Sequence, residues 1–168
     1  MFRKIRKRIA EGRWDVVGGW WIEPEANLPG AEAFIRQGLY GQRELEKLIG
    51  HQAKTAFIPD SFGHSNCLPQ ILRQQGMTRY VFMRPMEHER HIPSDLFLWE
   101  SPDGSRLLTY RIQVAYGNSR DIRERLERII REFKAMPTKN YMAFYGAGDH
   151  GGGPTKKNFQ QIAEIRKQ

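Results

Sequence analysis

The sequence predicts an α/β fold. Short apolar runs alternate with longer segments of helical periodicity, and glycines and prolines stand at the changes from one to the other. Both ends also fall inside helical patterns, and the chain has 168 residues where a closed (β/α) barrel takes about 250. An incomplete barrel is therefore the expected architecture, with active loops at the C-terminal ends of parallel strands.

Taken in order, residues 2–11 read as a helix stopped by Gly12, and Trp14-Asp15-Val16-Val17 as a short strand running into a turn at Gly18-Gly19. Pro24 biases Glu23 away from the helical region, so residues 20–25 read as a loop. Ala31, Phe34, Ile35, Leu39, Leu45, Leu48 and Ile49 fall at helical spacing, and Gly50 ends that run. Thr55-Ala56-Phe57-Ile58 is apolar and bounded by Pro59, which predicts a buried strand leading into the loop at Asp60. A helix follows over about 68–75, with Pro69 tolerated in its first turn because that N–H has no intrahelical partner.

Gly76 precedes a second buried strand, Tyr80-Val81-Phe82-Met83, and residues 84–93 are polar and irregular. Residues 96–100 and 106–112 flank Ser101-Pro102-Asp103-Gly104-Ser105, which predicts a hairpin inserted in the main pattern. Asn118 or Ser119 is placed to cap a helix whose apolar face carries Ile122, Leu126, Ile129, Ile130 and Phe133. Tyr141-Met142-Ala143-Phe144-Tyr145 reads as a strand, followed by a glycine-rich loop and a helix over about 155–165.

Composition excludes several functional classes. The formal net charge is +8, but five of the positive charges lie between Arg3 and Arg8 and most others alternate with acids on helical faces. Such a distribution reads as solvated helix surface, and no nucleic-acid-binding spacing accompanies it. No apolar run approaches the ~18 residues of a membrane span, and the basic start lacks the apolar core of a secretory signal. A cytoplasmic protein with neither nucleic-acid nor membrane partners is the expectation. Cys67 is the only cysteine, which excludes an intrachain disulfide and reads as a small buried hydrophobe. His88 and His91 with Glu87 and Glu89 lack a recognised metal-ligand spacing.

Asp60 and Asp149 occupy equivalent positions, each after an apolar strand, among small residues, and before a helix. Carboxylates at strand ends converge across a sheet, which is the premise for acid and nucleophile chemistry; each aspartate also reads as an ordinary turn or cap residue. Trp20, Trp21 and Phe62 would supply pocket walls, while Glu23, Glu25, Asn27, His64 and Arg84 would bind hydroxyls or orient the carboxylates. In an extended segment the adjacent tryptophans point to opposite sides, so at least one belongs to the core. Gly151-Gly152-Gly153-Pro154-Thr155 lacks the lysine and hydroxyl ending of a phosphate-binding loop, which excludes nucleotide hydrolysis of that kind.

Three long motifs, in order, extend the reading. Trp14-Asp15-Val16-Val17-Gly18-Gly19-Trp20-Trp21-Ile22-Glu23-Pro24-Glu25-Ala26-Asn27-Leu28-Pro29, with Gly38-Leu39-Tyr40-Gly41-Gln42-Arg43, resembles the segment ahead of the catalytic loop in glycoside hydrolase family thirty-eight, the α-mannosidases. Ile58-Pro59-Asp60-Ser61-Phe62-Gly63-His64-Ser65 is similar to that family's nucleophile motif, and residues 144–155 resemble its bacterial acid/base loop. The resemblance implies a seven-stranded (β/α) barrel of which residues 1–168 form a part, lacking the first strand and later strands. It implies retaining hydrolysis of α-linked mannose in glycans or oligosaccharides, with one zinc ion in the complete domain.

Carried over by residue, Asp60 corresponds to the nucleophile and a zinc ligand, Asp149 to the general acid/base, and Trp20, Phe62 and Arg84 to substrate-binding positions. The remaining zinc ligands would come from the rest of the same polypeptide, so the isolated chain is expected to bind zinc weakly and to be inactive. Two alternatives stay open at this point. One is a related retaining glycosidase with another sugar preference; the other is an inactive carbohydrate-binding or structural remnant.

Overall fold

The computed structural model describes residues 1–114, 121–132, 141–146 and 153–167, in two compact units, Met1–Arg111 and Ile112–Gln168. The first unit opens with helix α1 (Phe2–Ala10), followed by Gly12 at φ 66°. Its Arg6 guanidinium donates to the Leu48 carbonyl at 2.8 and 3.2 Å. That carbonyl lies in the last turn of helix α2 (Ala31–Ile49), where free carbonyls and the negative end of the helix dipole favour a cation. Gly50 closes α2 in the left-handed conformation at φ 66°, its N–H donating to Glu46.

The inner face of α2 buries Phe34, Gly38, Gly41 and Gln42. Gly41 is small for a reason: a Cβ there would stand 2.3 Å from the Trp20 carbonyl carbon and 2.6 Å from the Gly19 oxygen. The loop bearing Trp20 is thereby packed directly on the helix backbone. Gln42 answers the backbone at the entry to the sheet, donating to the Ala53 carbonyl at 2.8 Å and accepting from the Ala53 N–H at 2.9 Å.

Strand β1 (Thr55–Ile58), helix α3 (Leu68–Gln74) and strand β2 (Arg79–Phe82) form a βαβ unit with β1 parallel to β2 in the register Thr55↔Arg79. Strand β4 (Arg106–Arg111) continues the parallel ladder on β2, and β3 (Leu96–Glu100) pairs antiparallel with β4. The sheet order is β1-β2-β4-β3. The hairpin expected as an insertion is thus half of the sheet: β4 takes the parallel seat beside β2, and β3 forms the outer edge. Asp103 sets its turn by accepting from Ser101 Oγ and from the Ser105 N–H and Oγ, with Gly104 at φ 83°.

The strand expected over Trp14–Val17 is reduced to one parallel bridge, Val17↔Thr55. Gly18 and Gly19 follow at φ 95° and 75°, so the backbone turns away from the extended course needed to continue along β1. One face of the sheet, carrying Ala56, Ile58, Tyr80, Phe82 and Leu107, joins Leu68 and Leu72 of α3 and Phe34 of α2 in the core. The leucine, isoleucine and phenylalanine side chains among these each contribute about 1.5–3 kcal/mol by leaving water.

The second unit holds helices α4 (Ile122–Glu132) and α5 (Lys156–Ile165). The cap of α4 is Asp121 rather than Asn118 or Ser119, which lie outside the described residues. Its Oδ1 accepts from the N–H groups of Arg123 and Glu124 at 3.0 and 3.1 Å, satisfying donors that have no intrahelical partner. Thr155 and Asn158 make a reciprocal capping box on α5, and Gln161 links the helices by donating to Asp121 Oδ2 at 2.9 Å. Residues 141–145, expected as a strand, are not one; an apolar segment becomes a strand only through ladder pairing with a neighbour. Among the described residues no helix is long and apolar enough to cross a membrane.

Among the described residues the α/β expectation is therefore met by a mixed, open, four-stranded sheet with α2 and α3 packed on it in the first unit. Its edges are β1 and β3.

Candidate active site

The parallel pairing of β1 and β2 extends beyond their ends, since the N–H groups of Met83 and Arg84 both approach the Pro59 carbonyl, at 3.2 and 3.3 Å. This sets Arg84 beside Asp60 at the C-terminal edge of the sheet, where parallel α/β folds carry their ligand sites. Arg84 Nε donates to Asp60 Oδ1 at 2.8 Å. The Asp60 side chain retains 46% exposure against 29% for Arg84, so the carboxylate is anchored and still reachable. The Arg84 guanidinium also stands 4.9 Å from the centroid of the Phe62 ring, a cation–π contact, and its Nη1 lies 3.6 Å from Glu89. The Arg84-Pro85 peptide is cis.

The loop that carries Asp60 is held from below by Glu25. Ser61, 3% exposed, donates through Oγ to Glu25 Oε1 at 2.7 Å and accepts from the Ala26 N–H at 2.8 Å. Glu25 Oε2 accepts from the Phe62 N–H at 3.2 Å, and Oε1 from the Asn27 N–H at 3.2 Å. One carboxylate therefore ties residues 25–27 to residues 61–62 through charge-assisted bonds. Glu23 lies close by. Burial raises its pKa, the Asp60 charge adds to the rise, and a hydrogen bond from the Asp60 backbone opposes it.

A second support comes from β2. His64 Nε2 bonds the Arg84 carbonyl at 2.7 Å, and Tyr80 Oη bonds His64 Nδ1 at 2.9 Å. Tyr80 is fully buried. The His64 ring meets Phe82 and Trp99 nearly edge-on, with centroids 5.0 and 6.1 Å away. Burial lowers the His64 pKa, against smaller upward contributions from the Arg84 carbonyl and Glu25. A cavity of about 700 Å³ opens between Phe62, His64, Phe97 and Trp99.

Of the residues singled out in the sequence, Asp60, Phe62 and Arg84 form one cluster. Trp20 makes other contacts, meeting the Phe34 ring edge-on at 4.8 Å and packing on the core. Trp21 is 60% exposed, the opposite orientation expected of an adjacent pair. Asp149 lies outside the described residues. His91 Nδ1 hydrogen-bonds Glu87 at 2.5 Å, and Glu87 also meets buried Arg111, so the Glu87 carboxylate is shared between these two side chains. Cys67 is half-buried rather than buried, its thiol facing Asn66 Oδ1 at 3.3 Å. It sits at the entry to α3, beyond the core layer.

Sequence reasoning missed Ser61 and Tyr80. The signal for Ser61 was a hydroxyl directly after the candidate carboxylate, while a tyrosine inside a buried strand is a phenol that needs a partner.

For zinc, the Asp60 carboxylate is an exposed oxygen donor of a suitable class. Among the described residues there is no group of three or more histidine, cysteine, aspartate or glutamate side chains able to hold a metal ion. Asp60 is thus a single oxygen donor, and the described residues do not by themselves make a metal site.

Comparison with known proteins gives a consistent result. The family model described as "Glycosyl hydrolases family 38 N-terminal domain" matches residues 1–168. Alpha-mannosidase G of Dictyostelium discoideum is 35% identical over 99% of this chain and 16% of its own length. Alpha-mannosidase 2C1 of Homo sapiens is 31% identical over 98% of this chain and 16% of its own. A putative mannosylglycerate hydrolase of Halalkalibacterium halodurans is 27% identical over 96% of this chain and 20% of its own. The chain thus spans about one-sixth to one-fifth of the length of these relatives. Among solved structures, an alpha-mannosidase from Enterococcus faecalis V583 superposes with a TM-score of 0.73 at 16% identity, covering 98% of this chain and 19% of that one. At that identity the likeness is one of fold.

Proposed function

This chain belongs to glycosyl hydrolase family 38, and from that premise we propose that it forms part of a catalytic domain that hydrolyses α-linked mannose with retention of configuration. The observation that carries the reading is the Asp60–Arg84 pair at 2.8 Å, at the C-terminal ends of two adjacent parallel strands and beside the exposed ring of Phe62. A nucleophilic carboxylate must be ionised, aimed and accessible. The Arg84 hydrogen bond fixes the side chain, and the exposure of Asp60 leaves it open to substrate.

In this reading Asp60 attacks the anomeric carbon as the bond to the leaving oxygen breaks, and Asp149 gives its proton to that oxygen. The product of this step is a mannosyl ester of Asp60, and the aglycone departs protonated. Water then attacks the anomeric carbon while Asp149 takes its proton, and the Asp60 carboxylate leaves, releasing mannose and regenerating Asp60. Two inversions at one carbon give net retention, and the two carboxyl groups then stand about 5–5.5 Å apart. Phe62, 74% exposed, offers its ring to the apolar face of the sugar, whereas the Trp20 ring lies against Phe34 and would shape the site from the core side. Zinc, held by Asp60 and by ligands from the rest of the polypeptide, would supply positive charge for the sugar hydroxyls.

Relatives named as alpha-mannosidases and as a putative mannosylglycerate hydrolase share the mannosyl group and differ in what it is attached to. We accordingly assign the mannosyl subsite to this cluster and leave aglycone selection to other segments.

The test is covalent trapping. A ring-fluorinated mannoside with a good leaving group, added to this chain joined to the remainder of its domain, should add one fluoromannosyl mass to the peptide containing Asp60, and Asp60→Ala should abolish it. Label on another residue, or undiminished turnover by D60A, would overturn the assignment.

A further inference from the structure

The contacts around His64 determine where its proton lies. The Arg84 carbonyl only accepts, so at 2.7 Å the His64 Nε2 must carry hydrogen. In the neutral ring Nδ1 is then an acceptor, and the Tyr80 hydroxyl at 2.9 Å must donate to it. Tyr80 itself is fixed by complete burial in the sheet. A directed chain of hydrogen bonds therefore runs from the core to the nucleophile loop: Tyr80 Oη to His64, His64 to the Arg84 backbone, and Arg84 Nε to Asp60 Oδ1 at 2.8 Å.

Arg84 lies two residues past the end of β2, and its side chain meets Asp60 while its carbonyl is held by His64. Rotation of that peptide would swing the guanidinium away from the carboxylate. The ring responsible for holding it cannot turn freely, because Tyr80, Phe82 and Trp99 surround it at 5.6, 5.0 and 6.1 Å between centroids. We propose that His64, locked as its Nε2–H tautomer, is a positioning residue that sets the orientation of Arg84 and through it the aim of Asp60. The proposal rests on the assignment of Asp60 as nucleophile, and adds a residue that touches neither the sugar nor the reacting atoms.

The ionisable groups facing this ring are Tyr80 on β2, Arg84 after it, and Glu25 on the loop from the other side. Burial disfavours the imidazolium, in keeping with a ring that works as a neutral donor and acceptor.

The experiment begins with the 168-residue chain labelled with nitrogen-15, at neutral pH and with no sugar present. Imidazole nitrogen shifts should identify His64 as the Nε2–H tautomer, and Tyr80→Phe should move the Nδ1 resonance while Nε2 keeps its proton. An Nδ1–H tautomer in the unmodified chain would overturn the proposal without recourse to any variant. Next, His64→Phe should shift the Arg84 Nε–H resonance, and His64→Gln, which restores an amide donor, should return it toward its original position. An Arg84 resonance that ignores both replacements would also refute the idea.

In the completed domain, H64F should lower kcat about 10–100-fold with little change in KM, the scale of a misaimed reacting group, and H64Q should recover most of it. Full activity in H64F with none in D60A would remove the positioning role and leave the nucleophile intact; activity in D60A would instead remove the nucleophile assignment. Should H64F fail to fold, the tautomer in the unmodified chain and the H64Q rate decide the matter.

Discussion

Replacement of Ser61 by alanine isolates the support beneath Asp60. The hydroxyl is almost fully buried and accepts from the Ala26 N–H at 2.8 Å while donating to Glu25 at 2.7 Å. Alanine leaves only a small void, so the cost comes from hydrogen bonding. The bond to an ionised carboxylate is worth about 1.5–3 kcal/mol, and a buried N–H deprived of its acceptor costs about 1–3 kcal/mol. These losses overlap because one oxygen makes both contacts, giving an expected destabilisation of about 3 kcal/mol. Urea unfolding of S61A should show a lower midpoint with an unchanged slope, and hydrogen exchange at the Ala26 amide should accelerate. A loss below about 0.5 kcal/mol, the range of ordinary surface substitutions, or unchanged Ala26 exchange, would refute the claim that this hydroxyl fastens the loop.

Other consequences follow from the same structure. Arg111 and Asp95 form a buried pair, with side chains 3% and 11% exposed, so Arg111→Met should cost about 3–5 kcal/mol in unfolding and the paired R111M/D95L replacement distinctly less. Gly41→Ala should destabilise by about 2 kcal/mol or more despite the better helix propensity of alanine, because the new methyl meets backbone of residues 19–21. At Gly38 the atoms nearest an added methyl belong to the Gln75 side chain, which can move, so the loss in Gly38→Ala should be smaller in the same assay. The depressed pKa of His64 means that the unfolded chain takes up that proton first. Stability should therefore fall as pH drops below the ordinary histidine value of about 6.5, and H64Q should flatten that part of the stability profile.

Where periodicity and a stop residue agreed, the sequence was sufficient. Helix α2 runs over the expected residues to a left-handed Gly50, and the βαβ unit falls within a residue of its expected limits. Local patterning did not reveal pairing partners. Trp14–Val17 and residues 141–145 had the composition of strands, but a strand exists only where another backbone accepts its bonds. For the same reason the hairpin was legible as a hairpin while its incorporation beside β2 was not. At the site, the strand-end position of Asp60 was readable from Pro59 and the apolar run before it. The Glu25–Ser61 and Tyr80–His64 contacts join residues 36 and 16 positions apart, and such closures depend on the folded loops.

The incorporated hairpin has a consequence for the order in which the first unit assembles. Strands β3 and β4 are joined by a tight turn and pair Glu100 with Arg106, so their contacts close a short loop and form on the microsecond scale. Pairing of β1 with β2 must bring Thr55 to Arg79, and β2 with β4 must bring Arg79 to Leu108, both at greater loop entropy. We expect the hairpin to appear first and to present the free edge of β4 as a template on which the β1–β2 pair docks. Pulse-labelling exchange should then protect the β3–β4 amides before those shared by β1 and β2; the reverse order would exclude this route. The Asp60 loop, which depends on the β1–β2 ladder, would be completed only after the hairpin has formed.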